Sequence, residues 1–170
     1  MILIYAGRRQ ATDAQGVRER VRTLLDEVRP RLLVGSAAAG ADLLVLALAR
    51  ERDIPARVIL LGGVAEFERV SVADLGEEWI ERYREILADT GVSVESVASP
   101  GPDRRAAHLM VNEMIIETAR REATEGEEVI ALAVTESPGS GGSVTADLVA
   151  QAERRGWPVV TTSSAVHRQE

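Results

Sequence analysis

The stretch VIALAVTESPGSGGSVTADLVAQAERRGWPVV, from Val129 to Val160, decides the fold. It opens on an apolar run short enough for a strand and then breaks at Pro138, Gly139, Ser140, Gly141 and Gly142, a composition in which no regular structure persists. Thr145, Ala146, Leu148, Val149 and Ala152 then recur at helical spacing until Gly156, and Pro158, Val159 and Val160 start a further apolar run. The pattern predicts a β-loop-α-β unit. Glycines let backbone N–H groups approach an anion closely, and the helix start behind them carries a partial positive charge. This loop is therefore the expected ligand contact, and the residues before it supply scaffold and partner loops.

The same grammar runs upstream. Ile2 to Tyr5 read as a buried first strand, followed by a turn, Ala6-Gly7-Arg8-Arg9, that carries two guanidinium groups. The plain alternative makes Arg8 and Arg9 solvated turn residues. Asp13 is placed to cap a helix through about Val28, with Val17, Val21, Leu24, Leu25 and Val28 on one face and Pro30 as its stop. Leu32 to Val34 form the next strand, Gly35, Ser36, Ala37 and Gly40 a loop of small residues, and Asp42 stands at a helix start. From Leu43 to Ala49 that helix is apolar almost all round, as befits a helix packed beside a parallel sheet. Gly35, Ser36 and Gly40 are expected against a phosphate or ribose; alternatively they make a tight turn in which Ser36 or Asp42 is an ordinary N-cap.

Val58 to Leu61 give a third strand, and GGVAEFERV after it reads as another irregular loop, with Gly62 and Gly63 permitting close approach and Glu66 and Phe67 offering a carboxylate and a stacking face. A lone aromatic more commonly covers the core edge. Leu75 through Leu87 predicts an amphipathic helix with Trp79, Ile80, Tyr83, Ile86 and Leu87 inward. Gly91 closes it, and Val92, Val94 and Val97 alternate as a short strand before Pro100-Gly101-Pro102. From Arg104 to Arg121 a last long helix turns Ala107, Met110, Val111, Met114 and Ile115 inward. Asn112, Glu113 and Glu117 lie off that face; Asn112, the chain's only asparagine, is an amide placed to read a base or a hydroxyl, while the commoner reading leaves all three solvated. TTSSAVHRQE at the end, with His167, reads as a frayed tail.

Strands alternating with helices along the whole chain predict a Rossmann-like α/β/α sandwich with a mostly parallel sheet, a single domain over residues 1–162 with a tail at 163–170. In such sheets ligands bind beyond the carboxyl ends of the strands. The loops at Gly7, Gly35, Gly62 and Gly139 all follow strands and should gather along one rim; that convergence carries the functional expectation. G-x-G-x-x-G is absent from the first loop, which argues against a nicotinamide-dependent dehydrogenase.

Composition narrows the chemistry. At 170 residues, 45% hydrophobic and 28% charged, the chain can bury a sizeable core. It has no cysteine, so thiolate metal sites and cysteine nucleophiles are excluded, and with His108 and His167 its only histidines no metal is expected; nor is a cofactor. All 20 basic residues are arginine. A P-loop lysine, a Schiff base and a lysine general base are excluded, and a phosphate must be held by guanidinium groups, hydroxyls and backbone. The net charge of −7 argues against duplex DNA as a partner, whereas a small anion needs only a local basic pocket. No apolar run reaches the ~20 residues of a membrane span, so a cytoplasmic protein without a membrane partner is expected.

The strand ending in AGRR, then VGSAAAGADLLVLALA, LLGGVAEFER, and VIALAV followed by GSGGSVTADLVAQA resemble the SLOG superfamily, the Rossmann-like domains named for the SMF/DprA proteins and the LOG phosphoribohydrolases. The resemblance spans nearly the full chain and is best at Gly40 to Asp42 and at Gly141 to Asp147. It implies a nucleotide or nucleotide-derived ligand, with Gly35, Ser36, Gly40, Gly141, Gly142, Ser143 and Thr145 at phosphate and sugar and Arg8 beside them. LOG enzymes cleave the N-glycosidic bond of nucleoside 5′-monophosphates with a glutamate after a P-G-G-x-G-T loop and an arginine on the preceding helix. Here the loop is PGSGGSVTAD, Val144-Thr145 replace the G-T pair, the acid falls at Asp147, and Met110, Val111 and Asn112 stand in place of the basic pair. Asp147 and Glu113 are the candidate catalytic acids under that reading. The DprA branch binds single-stranded DNA, which an acidic chain without lysine suits poorly, while LOG relatives imply a homodimer.

The leading expectation is thus a module that binds a small phosphorylated nucleotide-like ligand to sense or sequester it. Its ligand set is Gly7, Arg8, Gly35, Ser36, Gly40, Asp42, Glu66, Gly139, Gly141, Gly142, Ser143 and Thr145. A LOG-like phosphoribohydrolase is the alternative. A third possibility is that the glycine-rich turns are only turns and the domain acts by self-association.

Overall fold

The computed structural model describes residues 1–9, 14–135 and 143–163. Strands β1 (Ile2–Gly7), β2 (Leu32–Gly35), β3 (Ala56–Leu61), β4 (Val92–Val97), β5 (Val129–Thr135) and β6 (Val159–Ser163) form one sheet in the order β4-β3-β2-β1-β5-β6. Every neighbouring pair is parallel. Helices α1 (Ala14–Val28), α2 (Ala41–Arg50), α3 (Val64–Ser71), α4 (Glu77–Leu87), α5 (Arg104–Glu122) and α6 (Val144–Arg154) connect them. This is the Rossmann-like sandwich that the alternation of elements predicts.

The chain winds outward from β1 to β4, then crosses to β5 and β6 on the other side of β1. With right-handed crossovers, reversing the winding direction moves the connecting helices to the opposite face. Accordingly α1 to α4 cover one face and α5 and α6 the other. Side chains alternate along β1 to serve both layers: Leu3 and Tyr5 pack with the first group of helices, Ile2 and Ile4 with α5 and α6. None of the four exceeds 1% exposure, which explains why this strand reads as a continuous apolar run. Helix α2 packs against β1, α1 and α4, and buries Leu43, Val45, Leu46 and Leu48, each worth about 1.5–3 kcal/mol. At the far edge β4 is open: Val94, Glu95 and Ser96 are exposed.

Two segments depart from the sequence reading. The stretch expected to be an irregular loop after β3 contains α3, entered through Gly62 and Gly63 with φ of 81° and 95°. Phe67 and Ser71, one turn apart, face inward, and the Phe67 ring stacks on Tyr83 at 6.1 Å while the Tyr83 hydroxyl donates to the Val64 carbonyl at 2.8 Å. Tertiary contact with α4 thus makes a helix where two glycines suggested none, and Phe67 covers the core as a lone aromatic commonly does. A 3-10 turn at Ala73–Leu75 and Gly76, with φ 112°, separate α3 from α4, so the second helix starts at Glu77 rather than Leu75. The second departure is at the end of the chain, where Thr161, Thr162 and Ser163 pair with Ala133, Val134 and Thr135 and belong to β6 rather than to a frayed tail. Asp13 and His167 lie outside the described residues.

Gly35 ends β2 directly over Tyr5. A β-carbon there would lie 2.4 Å from the ring, which is 1% exposed and pinned by its hydroxyl donating to the Ser36 carbonyl at 2.7 Å. Gly35→Ala is therefore expected to destabilise the protein by about 1–3 kcal/mol through overpacking. Urea denaturation checks this. The loss should shrink in a Tyr5→Leu background, and an equal loss in both backgrounds would sink the packing account.

Candidate functional site

The winding reversal places a crevice between the carboxyl ends of β1 and β5, where open α/β sheets bind ligands. A cavity of about 500 Å³ occupies it. Five groups of residues form its wall. The end of β1 and its loop contribute Gly7, Arg8 and Arg9; the loop after β2 and the start of α2 contribute Ser36, Ala38 and Asp42; Phe67, Ser71 and Asp74 come from α3 and the turn after it; Arg104, His108 and Asn112 come from α5, with Ser143 and Thr145 from the start of α6.

Close packing fixes the β1 loop. A β-carbon on Gly7 would lie 2.4 Å from Ala41 Cβ and 2.7 Å from Val134 Cβ, so α2 and β5 close on this position as only glycine permits. The Arg8 amide donates to the Val134 carbonyl at 3.2 Å and the Ala41 amide to the Arg8 carbonyl at 3.1 Å, leaving the Arg8 side chain exposed at the cavity. Gly40, with φ 100°, accommodates the Arg9 carbonyl, which would stand 2.1 Å from any β-carbon. The Arg9 guanidinium pairs with Asp74 and donates to the Ser71 carbonyl at 2.9 Å, tying the β1 loop to the turn after α3.

Helix α5 presents its polar side by period. Asp103 caps it, accepting from the Arg105 and Ala106 amides at 3.0 and 3.2 Å, and Arg104, His108 and Asn112, four residues apart, line the cavity beside the apolar Val111 and Ile115. Asn112 overturns its reading as a solvated residue. It is 3% exposed, and its amide donates to the Val144 carbonyl at 2.8 Å and to Asp147 at 3.0 Å, bracing α5 against α6. Gln151 donates to the same Asp147 oxygen at 3.0 Å. Ser143 is the N-cap of α6, accepting from the Ala146 amide at 3.0 Å, so the positive end of that helix faces the crevice.

Electrostatics in the cavity are uneven. Burial pushes the Asp42 carboxyl up to about 7, against the weaker opposing effect of the Ala38 amide, which donates to it at 3.3 Å. Burial, then the Asp42 charge, raises the Tyr5 hydroxyl well above its ordinary value. Burial, followed by the charges of Arg104 and Arg9, lowers His108, so its imidazole is neutral at pH 7. The Asp74 carboxyl is held low chiefly by its hydrogen bond to Arg9, and the Arg104 charge acts on it in the same direction.

Of the residues expected at a ligand, Gly7, Arg8, Ser36, Asp42, Ser143 and Thr145 line the main cavity. Gly35 and Gly40 sit behind it as packing glycines against Tyr5 and Arg9. Glu66 lines a smaller adjoining cavity with Gly62, which shares Leu61, Ser71, Arg104 and His108 with the main one. Asp147 and Glu113 are absent from both linings; Asp147 is engaged by Asn112 and Gln151, and Glu113 is exposed on α5. Gly139, Gly141 and Gly142 lie outside the described residues. Arg104 and His108 escaped the sequence reading, although their four-residue spacing with Asn112 beside the apolar stripe was the signal; Asn112, weighed there as a reader of a base or hydroxyl, lines the cavity. Among the described residues no cluster of acidic or histidine side chains could hold a metal ion, and no helix is long and apolar enough to cross a membrane.

No family model matches the chain, and no curated protein matches it. Among solved structures it is similar to the X-ray structure of DNA processing protein A (DprA) from Streptococcus pneumoniae, with 17% identity and a TM-score of 0.44 over 94% of this chain and 58% of that one. The chain thus spans a little over half the length of that protein.

The Asp42 shift sets a dependence of stability on pH. A carboxyl whose pKa rises on folding binds more protons folded than unfolded between the unfolded value, about 4, and 7, so stability falls as pH rises through that window. Asp42→Asn keeps an acceptor for the Ala38 amide and removes the titration. Urea melts from pH 4 to pH 8 should show a flatter profile for the variant and a more stable variant at pH 8; parallel profiles would contradict the buried-acid account.

Proposed function

We propose that this protein binds a nucleotide or nucleotide-derived phosphorylated ligand in the cavity at the carboxyl ends of β1, β2 and β3, as a sensing or binding module. One observation carries the reading: at the winding reversal, a cavity of nucleotide size joins a basic wall, Arg8, Arg9 and Arg104, to an apolar one, Leu61, Phe67, Leu75, Val111 and Ile115. Guanidinium groups and the start of α6 suit phosphate, and the apolar wall suits a base. The chain has no lysine, so arginine is the only basic side chain besides histidine that it can bring to a phosphate. The resemblance of its loops to SLOG domains points the same way. A phosphoribohydrolase of the LOG pattern takes its catalytic acid from after the glycine-rich loop, and neither Asp147 nor Glu113, the two candidates for that role, belongs to the cavity wall, so the binding module is the reading the geometry supports best.

Calorimetric titration with mononucleotides, dinucleotides and cyclic nucleotides tests it. At least one should bind in the micromolar range and be recovered intact by chromatography. Arg104→Ala should weaken that ligand roughly tenfold to a hundredfold, the worth of one charge-assisted hydrogen bond, and affect the corresponding nucleoside far less. Silence across the panel would overturn the proposal, and release of free base would move the protein to the hydrolase class.

A further inference from the structure

Among the described residues the cavity wall holds one acid, Asp42, that is not paired with a cation. Asp42 lies in the first turn of α2, is 8% exposed and lines the cavity, whereas Asp74, the other acid there, is paired with Arg9. Among the described residues its one hydrogen bond comes from the Ala38 amide at 3.3 Å, beyond the usual range for such bonds, and no salt bridge reaches it. Tyr5 offers it no proton, because the phenol donates to the Ser36 carbonyl at 2.7 Å. A carboxylate ion in this place is desolvated without adequate compensation. A carboxylic acid keeps the Ala38 bond and still has an O–H to give.

The surroundings indicate what would receive that proton. The charged and titratable groups on the same wall are Tyr5, Arg8 and Arg9 from β1 and its loop, Asp74 from the 3-10 turn, and Arg104 and His108 from α5. Helices α3 and α6 bring only uncharged side chains to it, Phe67, Ser71, Ser143, Val144 and Thr145. The wall carries three arginines against one paired acid, Asp74, a positive balance that favours an anionic guest, and an ionised Asp42 would repel one.

We infer that Asp42 recognises the guest as a neutral carboxylic acid, donating to an anionic oxygen or an unprotonated ring nitrogen of the nucleotide, so that wherever the free side chain is ionised, binding takes up one proton there. The inference rests on the nucleotide-binding reading of the cavity and adds to it a hydrogen-bond polarity and a proton. A guest that presents only donors at this point, such as an ammonium group, is disfavoured.

The test compares the full chain with Asp42→Asn by calorimetry against AMP and 3′,5′-cyclic AMP from pH 6 to pH 9. The cyclic diester does not titrate in this range, and comparing native with variant cancels the titration of the monophosphate. Native affinity should fall by about tenfold per pH unit above the Asp42 midpoint near 7. The variant, an uncharged donor, should hold close to the native low-pH affinity throughout. His108→Gln should keep the native slope, whatever it does to affinity, since His108 titrates lower. Equal slopes in native and Asp42→Asn would overturn the inference while leaving nucleotide binding intact. A folded Asp42→Asn that binds weakly at every pH would overturn it too, by making the ionised carboxylate the acceptor. Silence of both proteins toward both nucleotides at every pH sinks the underlying reading, and this inference with it.

Discussion

The close approach of three backbones at Gly7 is the constraint on which the rest of the molecule depends. Strand β1 is the point from which the sheet winds both ways, and its last residue must pass between Ala41 of α2 and Val134 of β5 with no room for a methyl group. Because Arg8 is then tied by backbone bonds to both neighbours, its side chain can only leave toward the cavity rim. The geometry of the crevice is therefore a property of main-chain packing, and its chemistry is added by side chains delivered from five separate segments. Gly35 and Gly40 repeat the device one layer back, where they let Tyr5 and the Arg9 carbonyl come close.

Much of the fold was legible because its signals are local. Buried parallel strands read as short apolar runs, as in Ile2 to Tyr5, and α2 reads as a helix packed on several sides because Leu43 to Ala49 is apolar nearly all round. The helix α3 was hidden for the opposite reason: only Phe67 and Ser71 face inward, and what makes them a helical face is Tyr83 on another element. The last strand was hidden by composition, since Thr161, Thr162 and Ser163 carry no apolar signal and owe their conformation to hydrogen bonds with β5.

The site divides along the same line. Loops following strands announce themselves through glycine, and Gly7, Ser36, Asp42, Ser143 and Thr145 were found that way. Those glycines turned out to be of two kinds that sequence does not separate, some bordering open space and others, like Gly35, filling it with a neighbouring ring. Asn112 looked like a surface residue because it lies one position past the apolar stripe of α5, and only the arrival of α6 on that side buries it. Arg104 and His108 were passed over because a helical position gives no hint of a ligand until the sheet shows which end of the helix stands at the rim.

The open edge of the sheet has a consequence of another kind. Strand β4 exposes an unpaired row of backbone groups with Val94 beside them, the sort of template on which foreign chains assemble into fibres. Its middle is Glu95. Two molecules docking these edges head to tail about that residue would bring like charges face to face, a pairing that carries an energetic penalty. A single carboxylate thus opposes that pairing at the margin of the sheet farthest in the strand order from β6.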